Sequence, residues 1–539
     1  MTEHKNADAG APSEDLPAAA QPIPYSAFTI WQKRWILFLA AFAAMFSPMS
    51  SFIFYPAITS MAESLHTTVG KIDLAITTYM VVSGVTPAIL GGAADNMGRR
   101  PVYIVALAIY LAANIGLALQ SNYTSLLVLR MVQSAGSSET DGLTVWWILG
   151  TISLGYGVIS DIADPSERGL YVGIFNMGYT RILAVLYIPN VAPPFGPVLG
   201  GLVTSQLNWH WVFWVLAILG GFCLLLVIVS LPETARNIVG DGSIPAPGGL
   251  YRPLVHPIAS KDDKAVVPPR RPRFVVPNPV SCLRLLFFKD IFIVLLCNGI
   301  YYATYCCVQA TLASLFVEVY GYHELQAGLI YIPFGFGCLV ATYSWGRLLN
   351  YDYARVKKLH DSRATETTTA GYHDEDFPIE EARLRSCFYL VGVVAVSTIA
   401  YGWVVGLRVF PHWVLTIPQH AAAPLVLQAI IGYSVTGIFG KHPWLTRTTQ
   451  ALGTLLTDLN PSQSSTAAAS ANIVRCSLAA ASLAVIQLVI DAVGVGWCFT
   501  TVGLLSGCCG PLLLLEMKQG QKWRRQRKSN TPTQQSLME

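Results

Sequence analysis

The residues able to do chemistry stand out by where they sit. Gly91-Gly-Ala-Ala-Asp95-Asn-Met-Gly98-Arg99-Arg100-Pro101 lies between two apolar runs. The Asp95 carboxylate can pair with Arg99, or with Arg168 in a later polar loop, and such a tie would hold two moving elements in one conformation. Gly91 permits close helix contact and Gly98 a tight turn. The plainer alternative is a basic loop that only sets topology. Arg130 lies inside an apolar run, in Leu129-Arg130-Met-Val-Gln133-Ser-Ala-Gly136. A guanidinium there costs at least ~2.5 kcal/mol to insert into lipid, so it should face protein or an aqueous cavity. Snorkelling to the interface is the competing reading. Arg475, in Asn472-Ile-Val-Arg475, could do similar work later in the chain. Arginine keeps its proton at working pH, so its role in proton coupling would be indirect, as a fixed charge acting on a nearby acid. No Asp or Glu within an apolar run declares itself as that acid: Asp161 and Glu318 lie near run ends. Asn298, Tyr301, Tyr302, Tyr305 and Gln309, with Asn472, form the best candidate for a ligand cavity. Their rings could stack on cationic or aromatic molecules while the amides fix orientation, although ordinary packing explains any one of them as well.

Competing chemistry finds no support. Gly440-Lys441-His442 lacks the spacing and the following Ser/Thr of a phosphate loop. No nucleophile elbow or H-E-x-x-H is present in a suitable context. The 11 cysteines show no paired metal spacing and read as small hydrophobes, among them Cys297, Cys306, Cys307, Cys508 and Cys509. Neither a metal nor a cofactor is expected, and the chain should not be an enzyme.

The elements that position these groups are membrane helices. The chain is 53% hydrophobic and 12% charged, with mean hydropathy +0.47, against roughly 25% charge in an ordinary soluble domain. A soluble enzyme, a disordered scaffold and a nucleic-acid binder are thereby excluded. Helices crossing a ~30 Å core need about 20 apolar residues. Such runs fall near 35–57, 72–92, 101–119, 124–160, 169–205 and 209–231, then near 290–317, 324–349, 384–408, 422–457, 464–490 and 494–515. The fold class is therefore all-α, a polytopic membrane protein of twelve spans in two six-helix halves. The organisation is a disordered tail 1–34, a first half 35–231, a central loop 232–289, a second half 290–515 and a basic tail 516–539. Basic residues gather in the two tails and in alternate loops, which places both termini in the cytoplasm.

Three runs are too long: 124–160 would reach about 55 Å as one helix. Each of the three carries a polar interior, near 139–149, 179–191 and 441–451. Removing these stretches restores ordinary spans, which favours segments foreign to the working fold over re-entrant loops.

The 91–101 segment fits G-x-x-x-D-x-x-G-R-R, a signature of the major facilitator superfamily. The Arg130 segment resembles that superfamily's fourth-span R-x-x-Q-G-x-G, with Ser134 in place of the first glycine. Gly196-Pro197-Val198-Leu199-Gly200-Gly201 resembles the G-P-x-x-G-G of its antiporter motif, whose upstream part is displaced here; plain small-residue packing is the alternative. Leu231-Pro-Glu-Thr-Ala-Arg-Asn-Ile-Val-Gly240 and Asn298–Cys307 are similar to fungal twelve-span drug:proton antiporters of the quinidine-resistance type. The resemblance implies proton-coupled export of small amphipathic organic compounds by alternating access at the plasma membrane. The partners would be protons, an organic substrate and the lipid bilayer, without nucleic acid, and the protein would be monomeric. A non-transporting membrane sensor on the same fold and an uptake transporter remain alternatives.

Overall fold

The structure is a computed structural model that describes residues 26–90, 97–137, 151–164, 171, 192–242, 244, 249–254, 285–366, 379–385, 387–407, 422–439, 452, 455, 456, 459 and 464–530. The stretches 139–149, 179–191 and 441–451 lie outside the described residues, as do Gly91, Asp95 and Arg168.

The described regular elements are helices. The first group is α1 (Ile30–Phe52), α2 (Ile58–Ser64), α3 (Val69–Leu90), α4 (Arg99–Leu119), α5 (Tyr123–Ser137), α6 (Thr151–Ile162), α7 (Ala192–Gln206), α8 (His210–Ser230) and the short α9 (Arg236–Val239). The second is α10 (Lys289–Tyr320), α11 (Glu324–Leu329), α12 (Ile332–Glu366), α13 (Ile379–Leu384), α14 (Cys387–Gly406), α15 (Ala422–Phe439), α16 (Ser464–Val493), α17 (Val495–Gly507) and α18 (Cys509–Asn530). Helix is what an apolar chain must form in lipid, because it alone satisfies every backbone group within one segment. Eight described helical stretches are long and apolar enough to cross a membrane, and Ala422–Ile438 is a shorter apolar helix. On α8 the large residues Ile218, Phe222 and Leu225 face outward, as lipid allows and water does not.

Several boundaries differ from the sequence reading, among them the end of α12, at Glu366 instead of 349. The first helix starts at Ile30 instead of 35, because Thr29 and Gln32 exchange backbone and side-chain hydrogen bonds in a capping box. The last helix continues past 515 to Asn530, since loss of apolarity marks the edge of lipid and not the end of a helix.

Within the first group α4 packs on α8 and α5, and α1 on α6 and α7; within the second, α14 packs on α17, and α12 and α14 pack on α15. The groups meet where α3 runs along α16 and where α7 meets α11. By chain direction, Arg99, Arg100 and the starts of α10 and α14 share one end of the bundle, here called the basic end. Glu324 and the starts of α3, α8 and α17 share the opposite end.

Candidate functional site

The turn into α4 is built on Gly98. Its φ of +99° is rarely adopted by L side chains, and an added Cβ would come 2.6 Å from Oε2 of Glu233. Glu233 follows α8 and accepts from the backbone N–H groups of Arg99 (2.8 Å), Arg100 (3.3 Å), Thr234 (3.0 Å) and Ala235 (2.9 Å). Burial pushes its carboxyl above the ordinary range, against the pull of these four donors. The Arg99 side chain turns the other way and donates from Nε to Asp161 Oδ2 at 2.9 Å, where α6 ends. Gly157 leaves room for that guanidinium. Arg236 donates from Nε to the Asp161 carbonyl at 2.9 Å. Arg100 caps the end of α8 by donating to the carbonyls of Val227, Ile228 and Leu231, and it reaches Leu250 and Arg252 as well. The basic end of the first half is thus knotted through Glu233 and Asp161, neither of which sequence reasoning placed in the latch.

The second half has its own ion cluster at the same end. Arg524 on α18 stands 3.4 Å from Glu380 on α13, and Arg527 stands 3.2 Å from Asp290 at the start of α10. Arg527 also donates to the Leu459 carbonyl at 2.9 Å. Glu516, fully buried, adds a third carboxylate within electrostatic range of Asp290 and Glu380. Burial pushes the Glu380 carboxyl up, opposed by a backbone N–H and by Arg524.

Deeper in the first half, Arg130 is 1% exposed and its guanidinium lies over the rings of Phe54 (4.0 Å) and Tyr79 (4.7 Å). Its Nη1 donates to the Ser50 carbonyl (3.0 Å) and to Gln133 Oε1 (2.6 Å). Gln133 donates onward to Asn114 at 2.7 Å. Nε and Nη2 of Arg130 are buried without a hydrogen-bond partner among the described residues, and its described partners include no carboxylate. Arg475 on α16 lies over Tyr302 at 4.6 Å and donates to Asn472, which itself donates across the halves to the Ser83 carbonyl at 2.9 Å.

The aromatic cluster on α10 divides by helical phase. Asn298, Tyr302, Tyr305 and Gln309 follow one another at helical spacing along one side. Tyr302 reaches Met80 and Tyr305 stacks edge-on against Phe52, both across the halves. Gln309 is buried, and its Nε2 lacks a partner among the described residues. Tyr301 points elsewhere, donating to the Ser506 carbonyl on α17 within its own half. The glycine helix α7 faces two ways. Gly196 and Gly200 pack on the α1 end at Ile53, while Gly201 meets Glu324 and Gly328 of α11, and Gly328 also meets Pro197. Ser60 donates to Glu324 at 2.8 Å across the same opposite-end seam.

A family model described as Major Facilitator Superfamily matches residues 40–481 of this sequence. The chain belongs to the major facilitator superfamily. MFS-type transporter phiD of a fungal species is 34% identical over 511 residues, covering 93% of this chain and 71% of that protein. Citrate exporter 1 of Aspergillus niger is 33% identical over 511 residues, covering 94% and 89%. MFS-type transporter R5 of a Phoma species is 32% identical over 527 residues, covering 97% and 92%. As a superfamily member the protein is a multi-pass membrane transporter.

In this superfamily protein the Arg99–Asp161 pair is a compact tie to test. Both side chains are nearly buried, and breaking the pair removes an ionic contact between α4 and α6. Asp161→Asn should change turnover by about tenfold while cargo affinity stays within about twofold, as for a contact that biases conformation more than binding. Turnover at the wild-type level, with normal membrane expression, would reduce this end to a topological determinant.

Proposed function

We propose that this transporter exports small amphipathic organic compounds, drugs or secondary metabolites, in exchange for protons, from a plasma-membrane location with both termini cytoplasmic. The moving bodies are the halves 35–231 and 290–515, flanked by the segments 1–34, 232–289 and 516–539. The observation that carries the reading is the seam between α7 and α11. Gly201 and Pro197 meet Gly328 there with little side chain between the backbones, and the Ser60–Glu324 hydrogen bond from α2 stands beside them, so this contact is close but lightly tied. Ties of a different kind, the ion pairs and Glu233 contacts, hold the basic end. Independent ties at the two ends are what alternating access requires. From their place in the sequence we assign the latch residues Gly91, Asp95, Gly98, Arg99, Arg100 and Arg168 to the basic end as well.

One observation favours an organic acid among the cargo. Arg130 keeps two enclosed donors unpartnered among the described residues, and a relative carries the name citrate exporter. Proteoliposomes loaded with rhodamine 6G or with citrate distinguish these cargoes and test the reading. An imposed pH gradient should drive efflux of at least one probe, and a protonophore should stop it. Equilibrium binding of a probe that no gradient can move would replace export with a sensor.

A further inference from the structure

Asp73 takes no part in the contacts described so far. It sits one turn into α3 and is 3% exposed. Its Oδ1 is enclosed, and no hydrogen bond or ion pair among the described residues reaches the carboxyl group. Only its backbone is engaged, accepting from Thr77 Oγ1 at 3.2 Å. The titratable groups within its electrostatic range belong to three other elements. Tyr55 comes from the turn after α1, Cys307 from α10 and Tyr331 from the junction of α11 and α12. Tyr55 also feels Arg130 of α5. On α16, packed along α3 through Gly70 and Gln487, the charges are Arg475, bound to Asn472, and Asp491, which accepts from Gln487. Glu63 of α2 and Lys71 of α3 itself are exposed.

Cys307 and Tyr331 belong to the second half and α3 runs along α16, so buried Asp73 lies beside the seam, and parting the halves at this end admits water to it. A carboxylate without donors is among the costliest groups to enclose, whereas a neutral acid is tolerated. The packed seam therefore suits the neutral acid and a water-filled seam the charged one, which couples closure to proton uptake. We propose that Asp73 is the acid that binds the driving proton: it takes the proton from water when the seam is open, carries it through closure, and returns it to water on the other side. This assignment rests on the proton-coupled export reading above.

The test uses the full chain with Asp73→Asn and Asp73→Glu. Spin labels at Leu207→Cys and Glu318→Cys, both exposed at the opposite end, report seam width, with Cys508→Ser removing the exposed thiol among the described residues and Cys282→Ser removing the thiol outside them. The wild-type seam should widen as pH rises. Asp73→Asn should stay closed at every pH and lose about tenfold or more of gradient-driven efflux of rhodamine 6G or citrate, while Asp73→Glu restores both responses. Restoration by Glu separates the role from a folding defect. If wild-type efflux of both probes ignores the pH gradient, the export reading fails. If wild-type efflux follows the gradient and Asp73→Asn follows it equally, with a seam that still titrates, only the assignment to Asp73 is overturned.

Discussion

Arg130→Ala should abolish proton-driven export, by about 100-fold or more, while cargo binding stays measurable. The guanidinium is a buried cation of the first half, lying over the rings of Phe54 and Tyr79 and bonded to Ser50 and Gln133. Those contacts tie α1, α3 and α5 to one planar group. Alanine removes the charge and both ring contacts, and leaves the Ser50 carbonyl and Gln133 Oε1 without that donor. Lysine keeps the charge but cannot offer a planar face to two rings or fork its donors, so Arg130→Lys should retain about a tenth of the activity. Efflux from proteoliposomes under an imposed pH gradient, scored beside equilibrium binding, checks both variants. Full gradient-driven efflux by Arg130→Ala would leave this residue a packing role only.

Gly200→Val and Gly201→Val should fail in different ways, although the two positions adjoin. A Cβ at Gly200 would run into the Ile53 carbonyl, a backbone atom of the same half that cannot swing aside. Overpacking of this kind costs typically 1–3 kcal/mol and here meets main chain, so folded yield should fall steeply. A Cβ at Gly201 would instead meet the Glu324 carbonyl at 2.5 Å and Gly328 at 3.0 Å, both across the seam. That clash exists only when the seam is shut. Gly201→Val should therefore fold at near wild-type yield, hold the opposite end apart and lose transport by about 100-fold, because a cycle that cannot close cannot turn over. Yield by size-exclusion chromatography, with the spin-label seam distance, separates the two. Equal loss of yield in both would show that this pair serves only helix packing.

Much of the architecture is legible in the sequence, because lipid imposes a single rule on long apolar runs. The starts of α4, α8, α10 and α14 fall within a few residues of the expected span edges. The position of Arg130 is legible for the same reason: a charge inside such a run must find protein, and it is enclosed by three helices and the turn after α1. Partners are much less legible. Asp161 reads as a residue near a run end, and nothing local says that it will meet Arg99 from 62 positions away. Glu233 lies in a segment that carries the family resemblance, yet its work is to collect backbone donors, which a side-chain pattern does not display. The one available signal is topological: an acid just after the sixth run shares an end with the Arg99–Arg100 loop. Asp73 looks like an interfacial charge at the lip of a run. Its electrostatic neighbours include Cys307 and Tyr331 of the other half, and no window of sequence contains both sides of a seam. Tyr301 and Tyr302 show the finer limit, since adjacent rings differ by about 100° of helical phase and face different neighbours.

The pairing of Arg527 with Asp290 also bears on how the protein is made. Asp290 opens the second half, and its counter-ion closes it. During synthesis the acid therefore emerges with the first helix of that half and stays unneutralised until the last one follows. Glu380 waits likewise for Arg524. A nascent second half carries a visible mark of incompleteness, exposed carboxylates at the membrane edge, which disappears only when α18 docks. Insertion machinery and quality control could read that mark as a check that the bundle is whole.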